Sequence, residues 1–404
     1  MKAITSIFIF SIILLMAFSK NTFGQAGTPV KIPAWKSLPV VKPQGRLNSD
    51  IGCYTVPDAK VTRETWKQPP FRYDHNLTTR PKLSKVVVVI YNPKLESEGG
   101  KTMVEYLKAN DPRKYSYNLA KVINIASGGY ITYHIVKFIE VDGYSEKIDG
   151  FRYTDESFLE ARKNNKYHQP DRSSYRKIFE ENGLIDMIKK GECHEVWLWG
   201  AGGFGYDELA MYIPNRYARF APTDNPWFYR PYDIPEECGR TVWVMGFNYE
   251  VGADKMIHSY THRVESIIAL QFAHGVWDKS YRGRDPWNTF SSLEMDNPGM
   301  PSHVGNCHVP PNGQGGYDYN NQRSVLSYAD NWLHYPDLRG EPRMIGSDEW
   351  NNSQYGFQIW YLSHLPKTPG FTKWGYNNWW VYIANTDEDL PDLPLPDEVI
   401  YPQK

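Results

Sequence analysis

Short apolar runs alternate with longer amphipathic segments from residue 81 onward. The run KVVVVIYNP (85–93) is β-branched, apolar and ended by Asn-Pro, which predicts a buried strand. Strands are predicted in the same way at 128–141, 194–200 and 240–248. Helices are predicted between and after them, at 111–126, 171–191 and 251–275. Strands that alternate with helices predict an α/β domain with a mostly parallel central sheet flanked by helices.

A loop-rich segment from about 276 to 350 follows the last predicted helix and is dominated by Gly, Pro, Asn, Asp and aromatic residues. A segment of this length in a folded domain is usually functional or disordered, and its many aromatic residues argue against disorder. Ligands of parallel α/β sheets bind beyond the carboxyl ends of the strands. We therefore expect long aromatic-rich loops over those ends. The stretch NNWWVYIAN (377–385) predicts a late strand or a packed terminus.

The two ends of the chain differ from the middle. Residues 1–24 carry a lysine at position 2, continue as an apolar run and end in small and polar residues, which is typical of a cleaved signal peptide. We therefore expect a secreted or periplasmic protein, and no later stretch predicts a membrane span. The remaining divisions are a Pro-rich extension at 25–80, a single α/β domain of catalytic type at 81–385, and an acidic Pro-rich tail at 386–404.

Charge and aromatic content indicate which classes of molecule the protein binds. The 404 residues carry a formal net charge of −1, and the absence of a basic stripe argues against nucleic acid. The 14 Trp, 29 Tyr and 17 Phe residues often lie among Asn, Asp and Gly, as in GVWDKSYRGRDPWNTF (275–290). Aromatic rings stack on the apolar faces of sugars while polar side chains bind the hydroxyls, so a glycan or cell-wall substrate is expected. The alternative is that these rings pack the long loops.

Carboxylates follow two of the predicted strands. Glu250 comes directly after one strand, and Asp207 and Glu208 come a few residues after its neighbour. They predict a pair in which one group is the acid and the other the base or nucleophile of an exported glycan hydrolase. The alternatives are a favourable charge at a helix N-terminus for Glu250 and surface positions for the other two.

Further polar and aromatic residues complete this predicted cleft. His308 and Asp318 lie in the loop 300–324 and are candidates for acid–base catalysis or for orienting the substrate together with His262. The predicted substrate contacts are Asn248, Tyr249, Asn306, Trp277 and Trp332.

The stretch MIHSYTHRVESII (256–268) offers a second chemistry. At about 100° per residue, His258, His262 and Glu265 form a stripe apart from the apolar face of the helix, and this stripe faces solvent or a cleft. Imidazole nitrogen and carboxylate oxygen bind zinc, and His308 is a candidate to complete the site. Ser259 stands where the motif H-E-x-x-H has its glutamate, so Glu250 would activate the water.

Three functions therefore remain open, with either no cofactor or zinc. The first is glycan hydrolysis by the paired carboxylates. The second is zinc-dependent hydrolysis of peptide, amide or ester bonds at the histidine stripe. The third is a non-catalytic surface protein that binds glycans through its aromatic loops, in which case the histidine stripe is a solvated helix face.

Two of the four cysteines precede neighbouring predicted strands. If those strands are parallel neighbours, Cys193 and Cys238 lie at the same edge of the sheet, and an exported protein is expected to join them in a disulfide. A Cys307 nucleophile beside His308 is disfavoured, because neighbours on an extended segment point to opposite sides.

Overall fold

The computed structural model describes residues 47–48, 53–54, 82–212, 233–273, 285–372 and 374–384. The described residues from 82 onward belong to one compact unit. Four predictions lie outside the described residues: the signal peptide, most of the extension 25–80, the tail 386–404 and the substrate contact Trp277. Two short strands, Leu47–Asn48 and Cys53–Tyr54, lie within that extension.

A five-stranded sheet forms the centre of the described chain. Its strands are β1 (Lys82–Tyr91), β2 (Ile131–Val141), β3 (Glu195–Gly200), β4 (Ala210–Tyr212) and β5 (Val242–Asn248). They are ordered β2-β1-β3-β5-β4. All neighbours are parallel except β4, which is antiparallel to β5 at one edge. This confirms the predicted α/β class with a mostly parallel sheet.

The central strands are buried because helices cover both faces of a parallel sheet, and such strands are continuous apolar runs. Residues 86–89 of β1 are fully buried, and every residue of β3 is buried. Strand β5 is paired with β3 in register, with Asn248 opposite Gly200. The carboxyl ends of the two inner strands β3 and β5 therefore lie side by side.

Nine α-helices surround this sheet in the described residues. They are α1 (Met103–Tyr106), α2 (Pro112–Ala126), α3 (Asp155–Asn164), α4 (Tyr175–Glu181), α5 (Leu184–Lys189), α6 (Ala253–Ala273), α7 (Pro286–Phe290), α8 (Gln354–Ser363) and α9 (Trp380–Ile383). None of them is long and apolar enough to cross a membrane.

Short strand pairs and 3-10 turns hold the loops between the helices. The pairs are Lys94–Leu95 with Lys101–Thr102, Val325–Ser327 with Arg343–Ile345, and Phe371–Thr372 with Gly375–Tyr376. The 3-10 turns are Glu96–Glu98, Glu236–Cys238, Ala329–His334 and Ser347–Trp350.

Helix α6 begins directly after the carboxyl end of β5 and carries the predicted histidine stripe. Its apolar face, with Ile257, Tyr260 and Val264, is fully buried as predicted. Arg263 on α6 pairs with Glu195 on β3 at 2.6 and 2.9 Å, and both side chains are buried. This ion pair fixes the helix against the sheet.

Two predicted elements differ from the structure. The predicted helix 171–191 is broken into α4 and α5, because Gly183 adopts a left-handed conformation with φ of 67° between them. The stretch 377–385 contains the helix α9 instead of a strand, and its buried side chains fit the alternative of a packed terminus. Helix α8 was not predicted, because its sequence QYGFQIWYLS is buried along most of its length and lacks an amphipathic period.

The predicted disulfide is not formed. Strands β3 and β5 are parallel neighbours as expected, but Cys193 and Cys238 are buried free thiols. The thiol of Cys193 donates instead to the carbonyl oxygen of Glu195 at 3.1 Å. Cys238 lies in the 3-10 turn before β5.

Candidate metal centre

Three imidazoles and one thiol converge beside the amino-terminal half of α6. Two come from the helix and two from the loop that follows α7. One ligand atom from each lies within 4.8 Å of all the others. Tetrahedral zinc, with bonds of about 2.0–2.3 Å, places its ligand atoms about 3.3–3.8 Å apart, so the widest pair has to close by about 1 Å. The four residues are His258, His262, Cys307 and His308.

The helix aligns its two histidines because residues four apart lie on the same face. The ring centroids of His258 and His262 are 4.6 Å apart. The ring of His308 lies 4.9 Å from that of His258 and 4.8 Å from that of His262. The stripe thus faces a covered cleft and not open solvent, since His258 and Glu265 are both buried.

A tight turn brings the loop residues to the cluster. The backbones of Asn306 and Val309 exchange two hydrogen bonds of 3.0 Å, and the Asn306 side chain accepts from the N–H of His308 and of Val309. Cys307 and His308 occupy the two central positions of this turn. The backbone is not extended there, so the argument that consecutive side chains point apart does not apply, and both reach the cluster.

Two of the three imidazoles are held neutral. Burial, together with the neighbouring His262 and His308, lowers the pKa of His258 to about 2. Burial and His262 likewise lower the pKa of His308 to about 4. A metal binds the neutral imidazole, so both rings are in the binding form at neutral pH.

Two carboxylates flank His262. Burial acts to lower the pKa of His262, but a hydrogen bond with Glu265 and the charges of Glu208 and Glu265 raise it. Glu265 is buried, and its Oε2 lies 3.5 Å from Nδ1 of His262. The Oε2 of Glu208 lies 3.7 Å from Nε2, and the Glu208 side chain is 55% exposed. Glu265 therefore lies behind the ring, whereas Glu208 lies at the open side.

Cys307 is the most enclosed member of the cluster. Its Sγ is 3.4 Å from Nδ1 and 3.8 Å from Nε2 of His262, and burial raises the pKa of the thiol well above its usual value. Its N–H donates to Glu265 at 2.7 Å. Its carbonyl oxygen accepts from Tyr319 at 2.6 Å and from Gln358 at 2.7 Å. These contacts fix the backbone of the turn.

The side-chain amides of α8 set the orientation of His258. The Nε2 atoms of Gln354 and Gln358 each lie 3.2 Å from Nδ1 of His258. Because an amide nitrogen can only donate, Nδ1 is the acceptor of both bonds, and the proton of the neutral ring lies on the other nitrogen, Nε2. Helix α8 thereby contributes to the site without supplying a ligand of its own.

The mouth of the cluster is polar and asymmetric. The Ser259 hydroxyl contacts Glu208 at 3.3 Å. The Tyr317 ring stacks on His258 and lies 4.9 Å from the ring of His308. The ammonium group of Lys255 lies 5.5 Å from the centre of the Tyr317 ring. The mouth therefore carries both an acidic group, Glu208, and a basic group, Lys255.

The predicted catalytic carboxylates Glu250 and Asp207 do not join the histidine cluster and are bound by other groups. Both oxygens of Glu250 are engaged, one by Arg162 at 2.5 Å and the other by the N–H of Gly202 at 2.8 Å. Asp207 accepts from the hydroxyl of Tyr175 at 3.0 Å. Of the three predicted carboxylates, Glu208 is the one that reaches the cluster.

Most of the predicted substrate-contact residues make hydrogen bonds within the protein. Tyr249 is fully buried, and its hydroxyl donates to a backbone carbonyl at 3.3 Å. Trp332 is fully buried, and its Nε1 donates to His303 at 3.0 Å. The Asn248 side chain accepts from the N–H of Glu250 at 2.8 Å.

Asp318 also organises its own loop. Its Oδ2 accepts from the N–H of Gln314 at 2.9 Å and from the side chain of Asn321 at 2.7 Å. A catalytic role for Asp318, like the roles of the residues above, stays a prediction.

Sequence reasoning missed several residues of the site. Lys255 precedes His258 by three residues on the same helix, and this spacing was a usable signal. Nothing in the sequence indicated Tyr317, Gln354 or Gln358, because a long-range contact brings each of them to the histidines.

Comparison of the chain with models of protein families, with curated proteins and with solved structures gives no match. A function is therefore inferred from the chemistry and geometry of the cluster itself.

Proposed function

We propose that the chain is a zinc-dependent hydrolase of peptide, amide or ester bonds, with His258, His262 and His308 as the zinc ligands. The observation that carries this proposal is the convergence of these imidazoles and one thiol within 4.8 Å. The position of the cluster supports it as well. Helix α6 begins at the carboxyl end of β5, which is where parallel α/β sheets bind their ligands.

The surroundings of His262 match the way proteins orient a metal-binding imidazole. A metal on Nε2 leaves the proton on Nδ1, and the carboxylate of Glu265 faces that atom at 3.5 Å. A carboxylate in this position fixes the ring and increases its basicity. Glu265, a predicted ligand, would thus act on the metal through His262.

The surroundings of His258 require adjustment of two amides. A metal on its Nε2 also needs the proton on Nδ1, and a half-turn of the Gln358 amide would bring an oxygen to that proton. The amide nitrogen of Gln354, which also faces Nδ1 at 3.2 Å, would have to turn away. Gln358 Oε1 is buried and makes no hydrogen bond in the described part of the chain. The half-turn gives up the bond from Gln358 to the carbonyl of Cys307, which keeps its bond from Tyr319.

Zinc supplies Lewis acidity and makes a water molecule a nucleophile near neutral pH. Glu208 is the proposed base, because its exposed carboxylate lies beside His262 but outside the set of four ligand atoms. If Glu208 lies within hydrogen-bonding distance of this water, its carboxylate would accept a proton from the water as the water oxygen attacks the carbonyl carbon of the substrate. It would then pass this proton to the departing amine or alcohol, so that one water is consumed for each bond cleaved.

Cys307 favours a second candidate, a structural zinc site. Its Sγ lies at coordination-like distances from His262, and four protein ligands are typical of structural zinc, whereas catalytic zinc keeps one position open. The two kinds of site can be distinguished by the role of the thiol. Zinc binding depends on the thiol in the structural site but not in the catalytic one.

Elemental analysis of the purified protein after incubation with zinc and dialysis tests the site and the role of the thiol together. We expect one equivalent of zinc in the wild type, a loss of zinc in His262→Ala, and none of that loss in His134→Ala, which removes an exposed histidine from β2. Retention of zinc by Cys307→Ala supports the hydrolase. Loss of zinc from Cys307→Ala supports the structural site, and a wild type without zinc rejects both.

Glycan hydrolysis by paired carboxylates and glycan binding by the aromatic loops stay predictions. The tryptophans of the described loops bear on the second of these. Trp287, Trp332 and Trp350 are fully buried, which supports the alternative that aromatic rings pack the loops.

A further inference from the structure

Tyr317 has a conformation that its packing does not explain. Its φ is 64°, in the left-handed region that is strained for a bulky residue. Its side chain is 52% exposed, so burial recovers little of that strain. The backbone is held there by the N–H of Tyr317, which donates to the carbonyl of His308 at 2.6 Å. Strain of this kind is concentrated at functional sites, and here it places a ring against two histidines of the cluster.

Lys255 lies next to the Tyr317 ring at the same mouth of the cluster. Its ammonium group lies over the Tyr317 ring and donates to Oε1 of Gln354 at 2.8 Å. Lys255 is exposed and has no carboxylate partner among the ion pairs of the described residues. Glu208, beside His262 and Ser259, is the acidic group of the same mouth. An exposed cation that has no carboxylate partner among the described ion pairs, held beside a proposed metal site, is suited to bind an anionic group of a substrate.

We propose that Lys255 and Tyr317 form a carboxylate-binding subsite, and that the substrate is an amide or ester in which one part carries a free carboxylate. The inference rests on the proposed zinc hydrolase and adds its substrate class. Lys255 binds the carboxylate, while the Tyr317 ring holds the ammonium group by a cation–π contact and forms an apolar wall for the adjoining carbon chain. The scissile carbonyl lies over the histidines, between Lys255 and the base Glu208.

The polarity of the mouth gives the subsite its selectivity. A substrate carboxylate on the Glu208 side meets like charge, whereas on the Lys255 side it meets opposite charge. The substrate is therefore bound in one direction, and an analogue with a neutral carboxamide in place of the carboxylate loses the ion pair. Such an analogue loses binding affinity but not the interaction with the metal.

A pair of hydroxamates tests this subsite without knowledge of the natural substrate. The probes are succinic acid monohydroxamate and its carboxamide analogue, each titrated into cobalt-loaded full-length protein while the visible cobalt absorption is followed. The hydroxamate group is a metal ligand in both, so the ratio of the two dissociation constants reports the carboxylate alone. We expect the carboxylate probe to bind at least tenfold more tightly to the wild type.

Three variants locate the effect. Lys255→Met should bring the ratio below twofold while leaving cobalt content and affinity for the carboxamide probe unchanged, and Lys255→Arg should preserve most of the ratio. Lys101→Met, which removes an exposed lysine from the short strand Lys101–Thr102, should behave as the wild type.

The outcomes separate this inference from the proposed function. Equal affinity for both probes, a preference that survives Lys255→Met, or a cobalt spectrum that neither probe alters would each overturn the carboxylate subsite while the metal site stands. A protein that takes up no cobalt overturns the metal site as well.

Discussion

Glu265 accepts a hydrogen bond of 2.7 Å from the backbone N–H of Cys307. The same carboxylate lies 3.5 Å from Nδ1 of His262. One buried side chain on helix α6 therefore orients a histidine of its own helix and fixes the turn that carries His308. The two halves of the cluster are coupled through Glu265, and this coupling can be measured.

Replacement of Glu265 separates its two roles. Glu265→Gln keeps an acceptor for the N–H of Cys307 but removes the charge behind His262, so we expect zinc affinity to fall about tenfold or more. Glu265→Ala also leaves a buried N–H without a partner, and we expect a further loss of about 1–3 kcal/mol in the free energy of unfolding. Competition with a chelating dye measures the first effect and urea titration the second. Equal zinc affinity in wild type and Glu265→Gln would contradict this role.

Glu208 is the proposed base, and its replacement should separate catalysis from metal binding. In zinc-loaded Glu208→Gln we expect kcat to fall by about 100-fold to 10,000-fold with zinc content unchanged, because a positioned base contributes that much. Turnover of a panel of chromogenic amides and esters, half of them with a free carboxylate, provides the measurement.

Glu250→Gln is the matched control, since Glu250 was the predicted base and is instead paired with Arg162. We expect it to keep most of the activity of a folded enzyme. If Glu250→Gln abolishes turnover and Glu208→Gln does not, the assignment of the base is wrong and the original carboxylate prediction gains support.

The ion pair between Arg263 and Glu195 fixes α6 against the sheet with both side chains buried. Arg263→Met leaves the Glu195 charge buried without its partner, so we expect a loss of about 3–5 kcal/mol in the free energy of unfolding. The double variant Arg263→Met with Glu195→Met should recover part of that loss. Arg113→Met breaks an exposed pair with Glu140 and should cost less than about 1 kcal/mol. Urea titration of the four proteins checks both expectations.

The sequence predicted the parts of this structure that depend on local periodicity. The apolar run of β1 and the apolar face of α6 are read within one element, and so is the separation of His258 and His262 from that face. His308 was also among the candidates because it lies in a structured loop. These predictions required no knowledge of how distant segments meet.

The remaining features of the site depend on contacts between distant segments. Glu208 reaches His262 because β4 pairs with β5, and Gln358 reaches His258 because α8 packs on α6. Cys307 was considered only as a nucleophile and was disfavoured because the loop was assumed to be extended, whereas the bonds between Asn306 and Val309 close a turn. No residue pattern within one segment predicts such contacts.

Asp330 gives the protein a stability that depends on pH. Burial acts to raise its pKa, but hydrogen bonds from His364 and Arg343 hold the pKa well below its ordinary value, and Arg343 also pairs with Glu349. A depressed pKa in the folded state stabilises the fold above the unfolded value, about 4 for aspartate, and this stabilisation is lost as the pH falls. We therefore expect Asp330→Asn to be less stable than the wild type at pH 6.

Urea titrations between pH 3 and pH 7 measure this linkage. The difference in unfolding free energy between wild type and Asp330→Asn should shrink as the pH falls below about 4, because the unfolded chain then binds a proton at Asp330 that the folded chain, with its lowered pKa, does not bind. A difference that stays constant over this range would show that Asp330 stabilises the fold without its charge.

We expect Tyr317 to strengthen substrate binding at a cost in stability. Asparagine adopts the left-handed conformation more readily than a bulky side chain, so Tyr317→Asn should relieve about 1 kcal/mol of backbone strain, while the half-exposed ring gives up little packing. We expect its Tm to equal or exceed that of the wild type. The carboxylate hydroxamate should nevertheless bind more weakly, because Lys255 loses the ring that holds it. Calorimetry and the cobalt titration report the two effects separately. A variant with a lower Tm and unchanged probe affinity would show that the tyrosine serves the fold instead of the site.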